Sequence, residues 1–165
     1  MFELKKLSPD GIEKALLKAE RYRLLNEPAD AESICRDILA VNPDNRPARV
    51  ALVLALTDQF GRDGGSDPEQ VLRELEGLGS DYEQAYYAGI VCERAAKAQL
   101  GRRGPGALYG AYEWFRRAMD YFEEAESVHA PGDNSALLRW NTCARILNRR
   151  RDLQAAPETA PTLLE

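Results

Sequence analysis

Residues 8–45 read SPDGIEKALLKAERYRLLNEPADAESICRDILAVNPDN, and this stretch decides the fold. Ser8 suits a helix N-cap and Pro9 a first helical turn. Ile12, Leu16, Ala19 and Leu24, with Ala15 and Tyr22 beside them, recur at helical spacing. Asn26-Glu27-Pro28 interrupts the pattern. A second helix opening at Pro28 or Asp30 carries Ala31, Ile34, Cys35, Ile38 and Leu39. Asn42-Pro43 ends it, because the residue before a proline is pushed out of the α region. Two amphipathic helices joined by so short a turn lie antiparallel with their apolar sides together.

The same alternation continues. Counting 34 residues on from Ile12 reaches Arg46, where a third helix is expected, carrying Val50, Leu52, Val53, Leu54 and Leu56 to about Phe60. Gly61 to Asp67 is a loop. Asp67-Pro68-Glu69 supplies a cap, a first-turn proline and a first-turn acid for a fourth helix through Val71, Leu72, Leu75 and Leu78. A fifth runs from Ser80-Asp81 to about Leu100, a sixth from Ala107 to Ser127, and a last from Ser135 to about Arg151. No segment reads as a strand. The expected organisation is one helical domain over 1–151 and a flexible tail over 152–165.

Ala15-x-x-Lys18-Ala19-x-x-Tyr22, Ala31-x-x-x-Cys35 and Asn42-Pro43 together resemble the tetratricopeptide (TPR) helix pair, as does Trp140-x-x-Cys143-Ala144-x-x-Leu147. Ala85-x-x-Ala88-Gly89-x-x-Cys92 and Ala111-x-x-x-Phe115-x-x-Ala118 follow its first- and second-helix patterns. The second pair departs from it: Val53 stands where the motif has Gly or Ala, and the turn is longer. The resemblance implies an all-α, right-handed superhelix of about three TPR-like hairpins plus a C-terminal capping helix. It also implies a non-catalytic scaffold, an adaptor or chaperone-like module, holding a peptide or helix of another protein in its concave groove. The first helix of each pair would line that groove. Those helices offer Leu16, Glu20 and Arg23; Val50 and Leu54; Tyr86, Ile90 and Arg94; and Asn141, Arg145 and Arg149.

Asn141, Arg145 and Arg149 are four apart and stack along one helix face. The arginine fork grips carboxylates, so an acidic or C-terminal peptide segment suits that end. The same arginines equally complement the C-terminal dipole of the last helix, and both readings stand.

Composition narrows the field. The 165-residue chain carries 22 basic and 27 acidic residues, net −5, which argues against a nucleic-acid partner. Cys35, Cys92 and Cys143 fall at apolar helical positions with no C-x-x-C pair, so buried thiols in a reducing compartment are expected. No apolar run approaches the length of about 18 residues that spans a bilayer. Residues 1–6 lack a secretory apolar core, so the expectation is a cytoplasmic protein with no membrane partner. The lone His129 sits in a loop, and no metal-ligand spacing occurs. The glycine-rich loops lack the Lys-Ser/Thr end of a phosphate loop, so no cofactor is expected. Paired acids such as Glu123-Glu124 read as solvated faces. The aromatics crowded between Tyr82 and Phe122 exceed one core stripe and leave some for an interface, self-association into a homo-oligomer included. The alternative to a scaffold is an accessory subunit or small helical enzyme with a pocket near the third helix pair.

Overall fold

The computed structural model describes residues 1–104 and 106–157. Within them lie seven α-helices and no strand, so the chain is all-α. They are α1 (Ile12–Leu24), α2 (Pro28–Val41), α3 (Arg46–Thr57), α4 (Pro68–Arg73), α5 (Asp81–Leu100), α6 (Ala107–Ser127) and α7 (Ser135–Arg149). No helix is long and apolar enough to cross a membrane. The last part of the expected tail, 158–165, lies outside the described residues, as does Pro105 in the loop before α6.

Local chemistry sets the boundaries. Ser8 precedes a 3₁₀ turn, Pro9–Gly11, rather than the α-helix itself, and makes no side-chain cap. Pro28, Pro47 and Pro68 each occupy the first turn of a helix, where the missing N–H removes no hydrogen bond. Asn45 caps α3 by accepting from the Ala48 N–H at 2.9 Å. Ser80 and Glu83 form a reciprocal capping box at the start of α5.

One helix is shorter than its apolar pattern suggests. α4 ends at Arg73, yet Leu75 and Leu78 are buried beyond it. The chain there tightens into successive i→i+3 turns, with Leu75 N–H bonded to Leu72 O and Leu78 N–H to Leu75 O. Gly77 (φ 76°) and Gly79 (φ 34°) turn through backbone angles that a helix cannot hold. The leucines therefore reach the core from turns.

Packing follows chain order. α1 meets α2, α2 meets α3, and α1 also touches α3. α5 meets α3, α4 and α6, and α7 packs on α6. Two buried clusters result, one centred on α1–α4 and the other on α5–α7. Leu72, Tyr87 and Tyr121 border both, so the clusters share a wall. Past the last helix, Leu153 is still buried in the second cluster. Gly89 on α5 lets the Phe122 ring of α6 lie against the helix backbone.

The three cysteines are free and buried. Burial pushes the Cys35 thiol up to about 11, and Cys92 and Cys143 up to about 12. These thiols stay neutral in the folded chain while the unfolded chain ionises near 9.0. Their stabilising contribution is therefore whole below about pH 9 and is lost as pH rises toward about 11–12. Urea unfolding midpoints are expected to fall between pH 8 and pH 10.5, and to fall less in a variant with all three replaced by alanine. An identical slope in the variant would assign the loss to other groups.

Candidate functional site

α1, α3, α5 and α7 are joined by charged side chains. Arg23 on α1 reaches Asp58, just past α3, at 2.7 Å. Arg94 on α5 pairs with the other Asp58 oxygen and donates to Thr57 Oγ1 at 2.7 Å. Near the other end of the same helices, Arg46 pairs with Glu83. Between these two ties an open cleft of about 490 Å³ is lined by Val50, Ala51, Leu54 and Tyr87, with Glu20, Arg23, Arg46 and Glu83 among the flanking residues. The strip is apolar in the middle and edged by both signs of charge.

Glu20, Arg23, Val50 and Leu54 meet in this cleft, as the sequence suggested. Leu16 is half-buried against the first core cluster. Ile90 is 3% exposed within the second cluster. Tyr86 packs on that cluster too and accepts from Arg139 Nε at 3.2 Å, so the aromatic side of the cleft is Tyr87. Arg94 is committed to Asp58 and Thr57, and its burial lowers its pKa from the usual value even though Asp58 opposes the shift. On α7, Asn141 is half-buried while Arg145 and Arg149 are exposed, and none of the three lines the cleft.

Helical spacing offers Glu93 to the groove beside Ile90 and Arg94, but the structure makes it the most buried charge among the described residues. Glu93 is 2% exposed and follows the buried small and apolar stretch Ala88-Gly89-Ile90-Val91-Cys92. Its carboxylate is held by Lys97, one turn on, and by Arg139 of α7 at 2.9 Å. The signal was present: a lone acid at a core register, with a lysine four residues later, points to a buried pair. What spacing does not supply is the distant arginine.

A second hollow, about 370 Å³, lies between the loop after α3 and the C-terminal end of α5, near Trp114 of α6. Its titratable lining is Asp67 and Arg102. The Asp67 carboxylate already caps α4 by accepting from Glu69 N–H. No cluster of metal-ligating side chains occurs among the described residues. Comparison with family models, curated proteins and solved structures returns no match for this chain.

Proposed function

We propose that this chain is a TPR-like scaffold, a right-handed superhelix of about three helical hairpins with α7 as its cap. On this reading it is an adaptor that binds a segment of another protein, peptide or helix, along the cleft between α1, α3 and α5. The observation that carries the proposal is an open apolar strip, Val50–Leu54–Tyr87, bounded by the Arg23–Asp58 and Arg46–Glu83 pairs on helices packed through the first core cluster. Helices already packed on one another present a preformed surface, so little ordering cost is charged against binding. Charged residues in the partner would meet both signs at the cleft edge, Glu20 and Glu83 as well as Arg23 and Arg46, while the exposed Arg145 and Arg149 of α7 lie outside the cleft. The buried free thiols fit a reducing compartment such as the cytoplasm.

The test is selection from a random peptide library, followed by titration of the enriched sequence against wild type and Val50→Lys. Val50 is half-buried, lining the cleft and touching the first core cluster, so the added charge blocks the strip and the melting temperature is read beside binding. Binding is expected to weaken at least about tenfold, the loss that goes with removing an apolar anchor. No enriched sequence, or equal binding by Val50→Lys at an unchanged melting temperature, defeats the proposal.

A further inference from the structure

α1 has a second face, turned away from both the core and the cleft. Lys14, Leu17, Lys18, Arg21 and Leu25 follow the i, i+3, i+4, i+7, i+11 spacing of one helix stripe. They line a shallow basin of about 470 Å³ that Tyr22 closes on one side. Leu17 and Leu25 are 61% and 59% exposed, and Leu24 beside them is 88% exposed.

Arg21 complements the C-terminal dipole of α1, but the spacing of the three cations opposes the helix. Lys14 and Lys18 are an i, i+4 pair, and Lys18 and Arg21 an i, i+3 pair, so each rung sets like charge on like charge. Such pairs cost an isolated helix roughly 0.2–0.5 kcal/mol each. None of the three forms an ion pair with a carboxylate among the described residues. The chain is net −5, so the rest of it carries −8 once these three positive charges are set aside. An acidic protein thus gathers unneutralised cations around exposed leucines on a single helix.

We propose that this face docks an acidic amphipathic segment of a partner protein, its apolar anchor seated between Leu17, Tyr22 and Leu25 and its carboxylates on Lys14, Lys18 and Arg21. Charge complementarity selects that occupant. A second copy placed face to face sets the three cations against themselves. An anionic membrane must accept the remaining −8, and a concave basin suits a side chain better than a lipid surface.

The probe is a fluorescein-labelled helix of about 16 leucine and glutamate residues, long enough to hold helical structure. Fluorescence anisotropy is expected to show binding that weakens with added salt. Lys18→Glu is expected to reduce it about tenfold while leaving the melting temperature little changed, because relief of both like-charge rungs is set against loss of the Lys18 ammonium 5.9 Å from the Tyr22 ring centre. Val50→Lys, in the other cleft, is expected to leave it unchanged. The proposal is overturned by an absence of binding to wild type or by equal binding to Lys18→Glu. A loss in Val50→Lys as large as in Lys18→Glu overturns it as well. Sedimentation of the protein with phosphatidylserine vesicles, or dimerisation undone by Lys18→Glu, without peptide binding, assigns the face to lipid or to self-association instead.

Discussion

Arg139→Ala is expected to destabilise the protein by about 3 kcal/mol, near the lower end of the cost of orphaning a buried charge. Glu93 is 2% exposed, and its two carboxylate oxygens are divided between two donors, Lys97 on its own helix and Arg139 on α7. Truncating Arg139 strips one oxygen of the buried carboxylate of its partner and leaves the partly exposed Lys97 to hold the charge alone. It also removes the bond to the Tyr86 hydroxyl and the guanidinium 6.0 Å from that ring's centre, so α7 loses much of its polar hold on α5. Glu93→Gln keeps the shape and removes the charge, and leaves an arginine whose side chain is 34% exposed and free to turn outward. Its cost is expected to be clearly smaller. Replacing both residues by apolar ones of similar volume is expected to regain most of the loss, since a buried pair is specific rather than stabilising. Guanidinium unfolding with an unchanged slope checks the ranking. A cost below about 1 kcal/mol for Arg139→Ala means that water reaches Glu93 and that the pair is a surface one.

That ion pair marks the limit of what spacing along the chain reveals. Several helices were legible from punctuation, Pro28 and Asp67-Pro68 at first turns, Asn42-Pro43 at an end and Ser80-Asp81 at a start, and α3 from the 34-residue count to Arg46. α4 was overextended because Leu75 and Leu78 keep an apolar rhythm through turns that Gly77 and Gly79 dictate. Half of the cleft followed from helical register, since Glu20 and Arg23 share one face of α1 and Val50 and Leu54 one face of α3. The rest did not, because register on a single helix says nothing of rotation about its axis relative to neighbours. On α5 a turn of one residue separates Tyr86, packed on the second core cluster, from Tyr87, which lines the cleft. Arg94 was read as a free cation for a ligand, but its partner Asp58 lies 36 residues away and becomes adjacent only when α3 and α5 pack.

Phe122→Ala and Gly89→Ala are expected to be costly singly and strongly non-additive together. Phe122 is fully buried on α6, and deleting the ring is expected to cost about 4 kcal/mol in lost transfer energy and cavity. Gly89, in the middle of α5, has a buried position and a backbone angle that any residue adopts, so helix propensity alone favours alanine there by about 1 kcal/mol. The ring forbids it: a Cβ at 89 would stand 2.6 Å from Phe122 Cδ1 and 2.9 Å from Cζ, well inside van der Waals contact. A buried ring between two long helices has no room to withdraw, so the clash is expected to turn the gain into a net loss of about 2 kcal/mol. With Phe122 already truncated there is nothing to strike, and Gly89→Ala should then stabilise by up to about 1 kcal/mol. The double-mutant cycle is thus expected to give a coupling near 3 kcal/mol, in which the second substitution repairs part of the damage done by the first. Chemical denaturation of the four proteins measures it. Simple additivity would mean that α5 and α6 do not approach closely at this point, and the second core would then need a different registry from the one Gly89 allows.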